Sequence, residues 1–276
     1  MKGQAVRTTL SRSEAVLLAA IAALLLLALL GPAIAQPAGY HHFADRREFW
    51  GLPYAMDVLS NLPFAIAGLA GMECLRRRPH GAIGPIARAM AWVFFAGLLL
   101  TAAASSWYHF APDDAGLAMD RGGMAIAFAG ILGLAAAIQV SERAGAALGL
   151  GLLVLAPLAS WHCSVTGNVL PWAVAQFGGG ALLLAMALLR PHPGALRIRW
   201  GLVIVAYAAA KALEMLDADI FALTGQLVSG HTLKHLVAAL AAVPVIAALG
   251  GLGDSRQNRA RPPATMTTAC PGPLGK

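Results

Sequence analysis

The chain has 276 residues, 58% of them hydrophobic and 12% charged, about half the charged share of an ordinary soluble domain; this excludes a soluble globular protein and indicates an integral membrane protein. The formal net charge of +7 does not indicate a nucleic-acid partner, because the basic residues form short clusters between apolar runs and not a patch interleaved with aromatics. The three cysteines, Cys74, Cys163 and Cys270, lie in different predicted regions without metal spacing, so neither a disulfide nor a cysteine-held metal is expected.

Residues 1–12 are polar and carry Lys2, Arg7 and Arg12. An apolar run follows from about Ala15 to Ala35 and ends Ala33-Ile34-Ala35-Gln36, a small-x-small pattern that fits signal-peptidase cleavage. The run is also long enough for a retained helix. Residues 1–35 therefore read as a signal peptide or an extra transmembrane helix. Residues 36–56 are polar and aromatic and predict an outside loop or an interfacial segment. Seven apolar segments follow, at roughly 57–75, 86–108, 116–140, 145–163, 170–189, 200–217 and 230–250, each near the ~20 residues that span a bilayer. The fold class is all-α, a seven-transmembrane helical bundle with its core over 57–250. Residues 251–276, rich in Pro, Arg and Thr, predict a disordered cytoplasmic tail.

The loops alternate in charge. Arg76, Arg77, Arg78 and Arg88 follow the first core segment, Arg143 follows the third, Arg190, Arg197 and Arg199 the fifth, and Arg256, Arg259 and Arg261 the seventh. The intervening loops carry Asp113, Asp114, Asp217 and Asp219. The positive-inside rule then starts the core outside and ends it inside, as in a bacterial inner membrane with a cytoplasmic C-terminus. Trp50, Trp107, Trp161 and Trp172 fall near predicted outer ends and fit an aromatic belt.

Polar residues interrupt this apolar pattern in three places: Ser105-Ser106-Trp107-Tyr108-His109, Asp120-Arg121, and His231-Thr232-Leu233-Lys234-His235. Residues four apart share a helix face, so Ser105 faces with His109 and His231 with His235. The topology brings all of them to one depth in the outer half of the membrane, where ionisable groups are costly and usually functional. Three neutral imidazoles suit zinc and leave a position for water. Asp120 could take a proton from that water, and Ser105 could donate to a developing oxyanion. Simpler readings also stand: interfacial histidines, a Ser105 bonded to a backbone carbonyl, or an Asp120 paired with Arg121 or Lys234.

The pattern Ser-x3-His, an Asp eleven residues after that His, and His-x3-His in the last helix resembles the alkaline ceramidase family, within the CREST superfamily of seven-helix membrane hydrolases. The resemblance spans about 45–250. It implies an intramembrane zinc held by His109, His231 and His235, with Ser105 and Asp120 beside it. It also implies hydrolysis of ceramide or a related N-acyl lipid to a fatty acid and a free amine lipid. Asp57-Val58-Leu59-Ser60-Asn61-Leu62 is similar to the family's Ser-Asn signature. Asp57 and Asn61 are placed behind the metal ligands, with an interhelical hydrogen bond as the plainer role for Asn61. Eukaryotic members carry an acidic calcium site before the first core helix. Tyr54 stands at one of its positions, and Asp45 and Glu48 do not replace the rest, so calcium is not expected and the chain looks closer to bacterial members. The resulting expectation is a zinc-dependent lipid amidase of sphingolipid-type chemistry. A receptor or transport-type protein with a structural zinc and a haem protein using paired histidines are the alternatives.

Further polar residues remain. Lys211, Glu214 and Asp217 lie three apart and read as a lysine–glutamate pair or as lining for a lipid pocket. Lys234 is expected to pair with Glu214 or meet a lipid head group. His41, His42, His80, His162 and His192 read as loop residues. Gly178-Gly179-Gly180 reads as a close-packing stretch, since no Lys or Ser follows to make a phosphate loop.

Overall fold

The computed structural model describes residues 9–191 and 195–251. Lys2, Arg7, His192, Arg256, Arg259, Arg261, Cys270 and nearly all of the predicted tail lie outside the described residues. Apart from two isolated bridges, regular structure among the described residues is helical.

Among the described residues seven stretches are long and apolar enough to cross a membrane, the pattern of an integral multi-pass membrane protein. They are α1 (Arg12–Leu30), α2 with α3 (Ala55–Leu59 and Leu62–Arg77), α4 (Pro85–Phe110), α5 (Asp114–Gln139), α6 (Glu142–Thr166), α7 through α8 (Leu170–Ala173 and Gly179–Ala187), and α11 with α12 (Gly230–Leu240 and Val243–Leu249). A five-residue π-helical stretch, Val174–Gly178, links α7 to α8. The predicted segment 200–217 is α9 (Trp200–Met215), shorter at 16 residues; α10 (Asp217–Leu223) follows it. Each predicted core segment is thus a helix, and the breaks within two of them have a local cause. Proline in the first turn of α3 and of α12 is suited to starting a helix but not to continuing one.

α5 is the central element, with 78% of its apolar window buried. Its Gly and Ala residues let α4 approach closely. A Cβ on Gly130 would stand 2.2 Å from the backbone nitrogen of Phe94, and one on Gly97 would stand 2.3 Å from that of Ala127. Small residues of this kind let membrane helices pack backbone to backbone. The close-packing reading of Gly178-Gly179-Gly180 holds for two of the three. Gly178 meets Leu24 of α1 and Gly179 meets Leu132 of α5, whereas nothing lies within 4 Å of a Cβ on Gly180.

α1 is tied to the core at both ends. Its buried Glu14 accepts from Ser141 Oγ at 2.6 Å and from Arg143 at 3.1 Å. Beyond its C-terminus, Ile34 and Gln36 pair with the 167–169 turn: Ile34 N donates to Asn168 Oδ1 at 3.0 Å, Val169 N to the Ile34 carbonyl at 2.8 Å, and Gln36 N to the Gly167 carbonyl at 2.9 Å. Two arginines grip carbonyls near helix ends: Arg78, at the end of α3, donates to Ala248 and Leu249, and Arg88, in the first turn of α4, to Leu75, Arg78 and Pro79.

Trp50, Trp107 and Trp161 are exposed, as a belt requires. Trp172 departs from that expectation. It is buried against Phe128, with the Arg121 guanidinium over its ring at 5.7 Å, because its helix turns it toward α5.

Candidate metal centre

His109 lies in the last turn of α4, and His231 and His235 lie in the first two turns of α11. The three rings meet at one end of the bundle. All are buried, and each offers a ligand nitrogen within 4.8 Å of the others. The Nε2 atoms of His109 and His231 are 3.2 Å apart. A tetrahedral zinc with Zn–N bonds of 2.0–2.1 Å separates its nitrogens by about 3.3 Å, so this edge fits one ion between two ligands. The same spacing is too short for His109 and His231 to sit on opposite faces of a flat macrocycle.

His235 has its tautomer set by Ser60. The Ser60 hydroxyl donates to the Asp57 carbonyl at 2.9 Å, which uses its one proton. Its oxygen must then accept from His235 Nδ1–H, 2.7 Å away, leaving the Nε2 lone pair free for a metal. His109 Nδ1 is buried without a hydrogen-bond partner among the described residues. A metal held through Nε2 leaves this Nδ1 unchanged; the three residues fit a metal ion because their ring nitrogens converge.

The partner of the metal ligands is Ser60, in the quoted Asp57–Leu62 stretch but not singled out there. Asp57 acts at one remove. Its Oδ1 accepts from Thr232 Oγ1 at 2.6 Å, with Ser229 Oγ 3.4 Å away, tying α2 to the turn of α11 that carries the histidines. Among the described residues Asn61 makes no side-chain hydrogen bond to the histidines or to another helix. Its Nδ2 donates to the Asp57 carbonyl at 2.9 Å, inside its own helical turn, because the break between α2 and α3 leaves that carbonyl available.

Ser105 and Asp120 are both buried and line one cavity of about 560 Å³ together with His235, a volume typical of a small-molecule site. The remainder of its wall is mostly apolar, including Phe64, Phe94, Leu98 and Met124. Asp120 Oδ1 has no partner among the described residues. Arg121 turns away from it to Gln36 and Cys163, and Lys234 bonds Glu214 at 2.9 Å, so the two predicted pairings for Asp120 are taken up elsewhere. Lys211 also bonds Glu214, as the simpler of its two readings expects. Asp217 belongs to neither reading. It accepts from His231 N at 2.7 Å and from Ala44 N at 3.0 Å, so it caps α11 and fastens the outer segment over the site.

That segment covers the histidines. Phe43 is buried with its ring 4.6 Å from those of both His109 and His231. Asp45 is buried too, and Arg47 donates to both of its oxygens, at 2.8 and 2.6 Å. Burial works against the Asp45 charge, but the Arg47 contacts overcome it and hold the carboxyl below its ordinary range. His41 lies in a turn, as the loop reading expects, whereas His162 departs from it. His41 bonds Tyr108 at 2.9 Å and Asp114 at 3.2 Å, and His162 lies in the last turns of α6.

No protein family, curated protein or solved structure matches this chain.

Proposed function

We propose that this chain is an intramembrane zinc-dependent amidohydrolase of the alkaline ceramidase type, cleaving an N-acyl lipid such as ceramide to a fatty acid and a free amine lipid. The observation that carries the reading is one cavity, apolar along most of its wall, that brings Ser105, the unpartnered Asp120 oxygen and a metal-competent His235 to a common space. An acyl chain would lie along the apolar wall and present its amide to this polar group. His109, His231 and His235 would hold the zinc. When bound, the metal polarises a carbonyl and makes a water acidic. Asp120 then takes the proton of the attacking water and returns it to the leaving nitrogen, so amide and water become acid and amine. The Ser105 hydroxyl donates to the carbonyl oxygen as charge develops on it. Phe43 and the surrounding apolar chains keep bulk water from the amide. In this reading the chemistry lies in the outer half of a bacterial inner membrane, as the alternation of arginine-bearing loops supports.

A structural zinc in a receptor or transport-type protein would be closed by four protein ligands. Among the described residues the cluster holds three, which favours the open site of an enzyme. The deciding experiment measures zinc content and ceramide hydrolysis on one detergent-purified sample, with His231→Ala beside it. One zinc per chain and fatty-acid release, both lost in the variant, is the expected result. Protein purified without chelator that carries no zinc would overturn the proposal.

A further inference from the structure

The hydrolytic reading leaves three ionisable residues on the same cavity wall without a role. Lys211 and Glu214 of α9 and Lys234 of α11 all line it. Glu214 accepts from both lysines, through Oε2 from Lys211 and through Oε1 from Lys234 at 2.9 Å. The lysine side chains are 26% and 18% exposed. One carboxylate between two ammonium groups leaves an excess positive charge. Each ammonium has three donors and one acceptor among the described residues. The other ionisable groups on that wall are Asp120, His235 and Tyr207; His235 belongs to the metal-competent cluster, and Asp120 Oδ1 and the Tyr207 hydroxyl have no hydrogen-bond partner among the described residues. An ionised Asp120 would balance the second ammonium group, and a divalent ion held on the three neutral imidazoles would make the wall positive again. An uncompensated ammonium at membrane depth is costly, and a ligand anion in the cavity would offset that cost while using the spare donors.

We propose that this cavity selects lipids carrying a carboxylate or similar anion, bound by Lys211 and Lys234. The proposal rests on the lipid-amidase reading for the location of the amide, but the binding it describes does not require catalysis. The anion is either an acidic head group on the N-acyl substrate or the carboxylate of the released fatty acid.

The test uses full-length protein in detergent at pH 8 and the fluorescent lipid cis-parinaric acid beside its methyl ester. The acid is expected to bind at least about tenfold tighter than the ester, the scale of one charge-assisted contact. Lys211→Met keeps the Lys234–Glu214 pair and should lose about that factor for the acid while leaving the ester unchanged. Lys211→Arg should restore it, and Glu214→Gln should hold or tighten it. Equal wild-type affinity for acid and ester overturns the proposal, as does an equal loss of both in Lys211→Met at unchanged zinc content. Hydrolysis of N-oleoylglycine against N-oleoylethanolamine then identifies the source. Preference for the glycine conjugate assigns the anion to the head group, whereas equal cleavage with Lys211-dependent inhibition by oleate assigns it to the product. Anion-selective binding without hydrolysis of either amide retires the amidase reading and leaves the anion site standing.

Discussion

Ser60→Ala is the sharpest test of how the metal centre is organised. The substitution removes one oxygen that makes two contacts: it donates to the Asp57 carbonyl at 2.9 Å and accepts from His235 Nδ1 at 2.7 Å. Ser60 is 6% exposed, so water does not readily replace it. The Asp57 carbonyl keeps Asn61 as a partner, and the loss therefore falls on His235. Its Nδ1–H becomes a buried unsatisfied donor, worth about 1–3 kcal/mol of folding stability. The ring also loses the contact that selects its tautomer and fixes its plane. Removing such a partner typically weakens metal binding by about 10–100-fold, or roughly 1.4–2.7 kcal/mol. Competition against a chromogenic chelator gives the zinc Kd, and thermal unfolding on the same samples gives stability. Ser60→Thr retains the hydroxyl and should restore most of the affinity. A folded Ser60→Ala protein with wild-type zinc Kd would refute the claim that Ser60 orients His235, even if its stability had fallen.

Three further outcomes follow from other contacts. Phe43→Ala uncovers the ring faces of His109 and His231; zinc release to a water-soluble chelator should speed up by at least about tenfold, and an unchanged rate would mean Phe43 is not the cover. Arg47→Met should lower the unfolding midpoint at pH 7 by the equivalent of about 1–3 kcal/mol, the scale for orphaning a buried charged group. Because Asp45 is held below its ordinary range, its stabilisation is present above its unfolded pKa and lost as pH falls through the lower folded value. The wild-type advantage should accordingly shrink below about pH 4, and a difference that persists there would point to packing instead. We propose that α1 is retained, since the paired Glu14 and the Ile34–Gln36 bonds tie it to the core. The intact mass of membrane-extracted protein should include residues before Gln36, and a mass beginning at Gln36 would show cleavage.

Much of the bundle was legible because long apolar runs and arginine-bearing loops are one-dimensional signals. The histidines were legible because a four-residue spacing and a shared depth require no knowledge of packing. Ser60 was not singled out, because its role depends on a helix break at Ser60–Asn61 that turns a hydroxyl toward a ring 175 residues away in the chain. Asp217 was grouped with Lys211 and Glu214 by its spacing along one helix. The chain instead breaks at Leu216 between α9 and α10, and its carboxylate turns to the start of α11. Trp172 was placed at the membrane surface by its position in the chain. Its burial depends on the face its helix presents to α5, and the segment's uniformly apolar pattern does not encode that face.

The helix breaks have a common consequence for the site. A continuous helix satisfies its own backbone and spares few groups for side chains. Where α2 stops, the Asp57 carbonyl takes both Ser60 and Asn61. Where α11 begins, the free amides of Thr232 and His231 take Ser229 and Asp217. These two ends are joined by Thr232 to Asp57, and α11 also lies close against the end of α9 because it starts on glycine. A Cβ on Gly230 would lie 2.3 Å from the Leu213 carbonyl oxygen. His231 and His235 are thus carried by a helix start that is pinned on one side by α2 and on the other by α9 and α10. This fixes both imidazoles against His109 before any ion arrives and reduces the reorganisation that metal binding would otherwise require.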